Sequence, residues 1–142
     1  MLINLSNHPV AGVVDPATGN RLNQWSEEQM RTAESEFDMV QDLMFPDIPA
    51  EASYDEVEML TDDYLEKCIE LLSEHQSSRN GVFLSGEQVF CAVLSGKLLR
   101  RGIRAVCATS QRVNVDVGDG KSIKEFRFVR FRDYGRPDIL KG

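Results

Sequence analysis

The chain alternates between short apolar runs and longer segments in which apolar residues recur at three- and four-residue steps. The short runs are rich in Leu, Ile, Val and Phe and are typical of buried strands; they cover residues 2–5, 39–43, 82–84 and 103–107. The longer segments have the spacing of helices that bury one face, and they cover about residues 26–37, 53–73 and 87–101. The order β-α-β-α-β-α-β predicts right-handed crossovers and a parallel sheet.

Local signals support the ends of the three predicted helices. Ser26 and Gln29 form a Ser-x-x-Gln capping box at the start of the first helix. Ser53 or Asp55 is expected to cap the second helix, which has the most regular apolar spacing. Gly102 follows a basic last turn and is expected to stop the third helix.

The pattern changes after residue 110, where apolar and polar residues alternate singly. Val113 and Val115 alternate with polar neighbours, and the turn signal Gly-Asp-Gly follows at residues 118–120. Phenylalanines and arginines are then interleaved between residues 126 and 132. This pattern predicts an antiparallel hairpin with one apolar side and one basic side.

Together these elements predict an α/β protein: a small Rossmann-like parallel sheet flanked by helices, with a C-terminal antiparallel β-hairpin. Residues 1–134 form a single domain in this prediction, and residues 135–142 form a tail. Residues 10–24 contain Gly, Asp-Pro and Asn positions typical of loops. We expect them to form a long loop insertion that is either mobile or functional.

Composition fits one globular domain and offers little for a metal or a cofactor. The 142 residues are 42% hydrophobic, which is enough for one core, and no apolar run is long enough to span a membrane. The first residues lack the basic and apolar regions of a signal peptide, so we expect a cytoplasmic protein. Cys68, Cys91 and Cys107 lack metal-site spacing and are expected to be free thiols. With only two histidines, a zinc site is not expected.

Charge is divided unevenly along the chain. Residues 1–75 hold 3 basic and 17 acidic side chains, whereas residues 76–142 hold 13 basic and 6 acidic ones. One interpretation is a solvated strand face beside an acidic helix. The other is a positive surface suited to a compact anionic ligand, because long duplex DNA would be repelled by the acidic half.

Polar residues follow three of the predicted parallel strands, at the edge where open sheets bind ligands. The candidate ligand-binding residues are Ser6, Asn7, His8, Ser85, Gly86, Glu87, Thr109, Ser110 and Arg112. At Ser85–Gly86 a strand passes directly into a helix, so backbone N–H groups could bind a phosphate and Gly86 would allow close approach. A plain strand-to-helix turn is an equally open interpretation.

Two of these candidates have a structural alternative. His8 is the histidine that follows a strand, and it is the candidate general acid or base; alternatively it is a turn residue that bonds the loop backbone. Glu87 lies in the first helical turn, where acidic residues are common for electrostatic reasons. If it contacts a ligand, its carboxylate should face a ribose or a base, because it would repel phosphate.

Several short motifs resemble small CRISPR-associated proteins of type III systems, which are stand-alone relatives of the CARF (CRISPR-associated Rossmann-fold) domain. The motifs are Leu2–Pro9, Trp25–Gln29, Phe45–Pro49, Ser85–Glu87, Ala108–Ser110 and Phe128–Tyr134. The resemblance covers about residues 1–134 and departs at residues 10–22. It implies that a homodimer binds a cyclic oligoadenylate second messenger. Some such relatives cleave the ring and others only bind it.

Three functions remain open from the sequence. The first is binding of cyclic oligoadenylate, followed either by sequestration or by metal-independent cleavage in which a ribose 2′-OH attacks its neighbouring phosphate. The second is a non-catalytic interaction subunit that docks a partner protein through the basic C-terminal hairpin. The third is another nucleotide-dependent enzyme, although the missing Gly-x-Gly-x-x-Gly motif argues against a dinucleotide oxidoreductase.

Overall fold

The computed structural model describes residues 1–75 and 78–137. The strands are β1 (Leu2–Ser6), β2 (Val13–Val14), β3 (Arg21–Leu22), β4 (Val40–Met44), β5 (Gly81–Ser85), β6 (Arg104–Gly118) and β7 (Lys121–Asp133). The helices are α1 (Glu27–Phe37), α2 (Tyr54–Ser73) and α3 (Gln88–Arg100). Within the described residues, none of these helices has both the length and the apolar character needed to cross a membrane.

The main sheet confirms the predicted fold class. Its strand order is β4-β1-β5-β6-β7; the first four strands run parallel, and β7 pairs antiparallel with β6. The chain moves from β1 to one neighbour, β4, and then crosses back to the other neighbour, β5. The strand order therefore reverses between β1 and β5, which makes the molecule a small Rossmann-like domain with a C-terminal antiparallel hairpin.

Two apolar clusters fix the helices on opposite faces of the sheet. On one face, Ile3 and Leu84 pack in a cluster with Cys68 of α2 and Phe90 of α3. On the other face, a smaller cluster joins α1 to the sheet through aromatic rings that meet edge to face or tilted; its members include Trp25, Phe37, Phe83 and Phe131. Because both faces are covered, β1 is buried along its whole length, as expected for a parallel strand.

The predicted loop at residues 10–24 contains a short hairpin instead. Strands β2 and β3 pair antiparallel, with Val13 opposite Leu22. The segment is tied down where it begins and ends: the Val10 amide donates to the Asp42 carboxylate at 3.1 Å, and the Trp25 amide donates to the Val10 carbonyl at 3.1 Å. Strands of two residues are too short to show a period in the sequence, which is why the pattern suggested an irregular loop.

The fourth predicted strand continues without a break into the predicted hairpin. Strand β6 is 15 residues long and pairs with β5 only from Arg104 to Val106, whereas it pairs with β7 as far as Gly118. Residues 110–118 of β6 and 121–128 of β7 therefore leave the sheet as a two-stranded unit, hereafter the ribbon. The ribbon extends roughly 26 Å at about 3.3 Å per residue.

The predicted division of the hairpin into an apolar and a basic side is wrong for the ribbon. The register shifts between Thr109 and Ser110, where Val129 is the extra residue on β7. Phe131 is buried, but Phe126 is 70% exposed and lies opposite Arg112. Each ribbon face therefore mixes apolar and charged side chains. Of the predicted tail, residues 138–142 lie outside the described residues.

Candidate functional site

The carboxyl ends of β1 and β5 lie side by side at the point where the strand order reverses. Ser6 and Ser85 are the last residues of these strands and are partners in register. In open α/β sheets this crevice is the usual place for a ligand. Most of the residues predicted from sequence are therefore brought to one edge of the sheet, but their side chains have different roles.

The Ser6 side chain makes its hydrogen bonds within the protein. It is 2% exposed; its hydroxyl donates to Asn4 Oδ1 at 2.7 Å and accepts the His8 amide at 3.1 Å. Asn4 Nδ2 in turn donates to Asp42 Oδ1 at 2.8 Å and to the His8 carbonyl at 2.9 Å. The Ser6 hydroxyl is therefore committed to holding the turn after β1, and this geometry does not support its prediction as a direct ligand contact.

The backbone of His8 has the structural role considered for it. Its backbone carbonyl is fixed by Asn4 and by Trp25, whose indole N–H donates at 3.1 Å. Its imidazole is exposed, like the side chain of Asn7. It lines a cleft of about 270 Å³ together with Trp25, Gln29 and Ala108. The backbone is a structural element of the turn, and the imidazole remains free to meet a ligand.

The turn from β5 to α3, where the sequence suggests a phosphate site, is capped by a side chain of the protein itself. The Glu87 carboxylate caps α3 by accepting the Val89 and Phe90 amides, each at 2.8 Å, so the position of an anion at this helix end is already taken. A Cβ on Gly86 would lie 2.5 Å from Cε2 and 2.8 Å from Cε1 of the Phe45 ring. Gly86 thus makes room for Phe45, and Glu87 has the structural role. Ser85 remains exposed.

The remaining candidates lie along β6 and not at a strand end. The Thr109 hydroxyl donates to the Arg130 carbonyl at 3.2 Å, next to the register shift. Ser110 is exposed at the base of the ribbon. Arg112 lies farther out, with its guanidinium carbon 5.9 Å from the centre of the Phe126 ring. Thr109 and Ser110 reach the carboxyl edge because β6 passes it, and Arg112 belongs to the ribbon.

Three clefts meet at Ala108 and divide the site between the two faces of the sheet. On the α1 face, a cleft of about 500 Å³ separates the start of α1 from the ribbon, and the small His8 cleft adjoins it through Gln24, Gln29 and Ala108. On the α3 face, a cleft of about 440 Å³ is lined by Ser85 and Tyr134 among others. His8 and Ser110 therefore share one face, and Ser85 opens onto the other.

Several lining residues were not expected from the sequence. Gln24 and Gln29 line the 500 Å³ cleft of the α1 face with Phe126, and Tyr134 closes the α3-face cleft by donating its hydroxyl to the Leu84 carbonyl at 2.9 Å. Burial raises the pKa of the Tyr134 hydroxyl, so it stays protonated as a donor. Phe126 was missed because its alternation with arginines suggested a core side chain, and the register shift beside it has no sequence signal.

Burial keeps one of the thiols in the α3-face cleft from acting as a ready nucleophile. The three cysteines are free, and both Cys91 and Cys107 line this cleft. Burial raises the pKa of Cys91 to about 11, so its thiol is protonated near neutral pH. Within residues 1–75 and 78–137, no three His, Cys, Asp or Glu side chains cluster at metal-binding distance.

Part of the basic excess of the second half is structural. Lys97 of α3 lies 2.7 Å from both Glu58 and Asp62 of α2, so these charges dock the two helices. Arg104 lies 2.7 Å from Asp133 across β6 and β7. By contrast, Arg112 and Lys124 lie on the ribbon face that carries Phe126, since Arg112 is its register partner and Lys124 lies two residues from it on β7. Arg127 lines the large cleft itself and lies 3.4 Å from Glu125, which also lines it.

Comparison with known protein families matches residues 1–132 to a family described as the Uncharacterized protein MJ1673 family. Comparisons with curated proteins and with solved structures gave no significant match. The matched residues include all three helices, strands β1 to β6, and all of β7 except its last residue. The chain therefore belongs to the MJ1673 family.

Proposed function

We propose that this protein binds a cyclic oligoadenylate in the large cleft between the start of α1 and the ribbon. One observation carries the proposal: the exposed Phe126 ring, the Arg127 guanidinium and side-chain amides line a cleft of about 500 Å³ at the carboxyl edge, and Arg112 lies over the same ring. The type III CRISPR-associated proteins that the sequence resembles suggest the ligand class.

The aromatic ring suits an adenine base. Phe126 is 70% exposed, although phenylalanine side chains are normally buried. Stacking of a base on such a ring contributes about 1–3 kcal/mol and does not require a hydrogen-bond pattern. The amides of Gln24 and Gln29 line the same cleft and offer both donors and acceptors for an adenine edge.

Charge fixes the expected orientation of the ligand. Glu27 and Glu28 lie in the first turn of α1 and line the cleft, so this wall would repel phosphate. The opposite wall is basic on balance: Arg127 and Glu125 line it, and Arg112 and Lys124 lie on the ribbon face that carries Phe126. The bases should therefore point toward α1, and the phosphates should lie along the ribbon.

His8 is the candidate catalytic residue if the bound ring is cleaved. In that reaction the ribose 2′-oxygen attacks the adjacent phosphorus, the bond from phosphorus to the 5′-oxygen breaks, and a 2′,3′-cyclic phosphate remains. The 2′-OH proton passes to solvent, and a protonated His8 donates to the departing 5′-oxygen. The His8 cleft adjoins the large cleft, which supports this role.

The test is equilibrium binding of fluorescently labelled cyclic tetra- and hexa-adenylate, with linear oligoadenylate for comparison. Phe126→Ala should weaken binding by about ten- to a hundredfold, whereas Phe126→Tyr should retain it. Val117→Ala removes another exposed apolar side chain of the ribbon and serves as the matched control. Wild-type protein that binds neither ring, or an undiminished affinity of Phe126→Ala, would contradict the proposal.

Single-turnover cleavage of the same rings distinguishes an enzyme from a sequestering protein. His8→Ala should slow cleavage by about 10²–10⁴-fold with affinity changed less than about tenfold. His75→Ala is the control, because His75 lies just beyond α2 in the chain. If the wild type binds but never cleaves, the catalytic role of His8 is wrong and sequestration remains.

A further inference from the structure

The ribbon has two free edges of very different character. Past Val106, β6 has no ladder partner on its β5 side within the described residues, and β7 is the outer strand of the sheet. Unpaired strand edges tend to recruit another strand, and charged side chains prevent this. The β7 edge is charged along its length, by Lys121, Lys124, Glu125, Arg127, Arg130 and Arg132. Residues 110–118 of β6 carry only Arg112 and Asp116.

These two charges make the β6 edge complementary to itself. The sequence from Arg112 to Asp116 is Arg-Val-Asn-Val-Asp. When two copies run antiparallel and are centred on Asn114, each Arg112 lies opposite the Asp116 of the second copy, and each Val113 lies opposite a Val115. Opposite charges and β-branched pairs are favourable directly across an antiparallel ladder. Shifting the centre by one residue separates the charges, and a parallel arrangement brings like charges together.

We propose that two copies of this chain join along the free edge of β6, in the antiparallel register centred on Asn114. The two ribbons then form one four-stranded sheet, whereas an isolated two-stranded ribbon is only marginally stable. Val113, Val115 and Ile123 share one ribbon face by register, so the apolar side chains of both copies become contiguous. Both Phe126 rings lie on the opposite face, one on each outer strand. This interface does not depend on the proposed ligand.

A charge-swap experiment tests the register directly. Sedimentation equilibrium without ligand measures dimerisation of the wild type, Arg112→Asp, Asp116→Arg and the double variant. Each single reversal places like charges opposite each other and should weaken the dimer at least about tenfold, and the double swap should restore it to within about threefold. Circular dichroism verifies that each variant is folded.

The double variant separates this pairing from local roles of the same residues. Asp116 also accepts the Gly118 amide at 2.9 Å, and the swap does not restore that bond. Recovery in the double variant therefore supports contact between copies. A monomeric wild type in the micromolar range, single reversals without effect, or single losses that the double variant fails to recover would each overturn the proposal.

A disulfide provides an independent measurement of the two-fold centre. Asn114→Cys places a thiol opposite its own copy and should give a covalent dimer under mild oxidation. Val117→Cys is the control, since in this register its partner position is Gln111, and the two introduced thiols are far apart. Cross-linking that is absent at position 114, or equal at both positions, contradicts the register.

Discussion

The body of the domain and the ribbon are both built from β-strands, but they are stabilised in different ways. In the body, β1 and β5 are covered on both faces, and their side chains belong to two buried clusters. In the ribbon, both faces meet solvent, and Val117, Ile123 and Phe126 are exposed. The body is therefore held by burial, whereas the ribbon is held by cross-strand pairing, and its exposed side chains contribute little to folding.

The largest expected effect tests this contrast with one type of substitution in both regions. Phe90 is fully buried and packs edge to face with Phe45 at a centroid distance of 4.9 Å. Phe90→Ala should lower the free energy of unfolding in urea by about 3–5 kcal/mol, because it leaves a cavity. Phe126→Ala in the ribbon should change it by less than about 0.5 kcal/mol. Similar losses at both positions would show that the ribbon is part of the cooperative core.

The second prediction uses pH to probe burial in the body. Burial raises the pKa of the Cys68 thiol to about 12, above its value in the unfolded chain. The unfolded state therefore loses this proton first, and the stabilisation present below about pH 9 is lost as pH rises toward 12. Between about pH 9 and pH 12, the free energy of unfolding should fall more steeply with pH in the wild type than in Cys68→Ala. The expected difference in slope is about 1.4 kcal/mol per pH unit. Parallel pH profiles for the two proteins would refute the burial of this thiol.

The third and smallest prediction concerns the turn that leads from β5 into α3. Gly86→Ala forces the Phe45 ring to move and should destabilise the protein by about 1–3 kcal/mol. Gly96→Ala in α3 is the matched control, because its Cβ meets only the end of Arg100 at 3.6 Å. Thermal unfolding should show Gly96→Ala unchanged or stabilised by up to about 1 kcal/mol. An equal response of the two variants would mean that Phe45 does not constrain Gly86.

The sequence was sufficient for the parts of the fold in which burial sets the pattern. The strands at residues 2–5 and 82–84 and the helix capped by Ser53 follow from apolar runs and local hydrogen bonding, and the structure has them nearly as expected. The continuity of β6 could not be predicted, because it depends on β7 replacing β5 as a partner and not on any local preference.

The candidate site was predictable in location but not in detail. The strand ends indicated the edge of the sheet at which the three clefts lie, since topology alone brings these ends together. The sequence could not show that Ser6 bonds to Asn4 or that Phe45 fills the space beside Gly86, because both contacts join residues from different strands or loops. Glu87 was the exception: its capping role follows from its neighbours in the chain, and the structural alternative was correct.

The position of Trp25 gives the molecule a built-in optical probe. Its indole N–H is bonded to the His8 carbonyl, and its ring lies 5.3 Å from Phe83 and 6.2 Å from Phe131 by centroid distance. It is the only tryptophan in the chain. All intrinsic tryptophan emission therefore originates where the β1 turn, β5 and the base of β7 meet, so emission wavelength and quenching report on this junction without an added label.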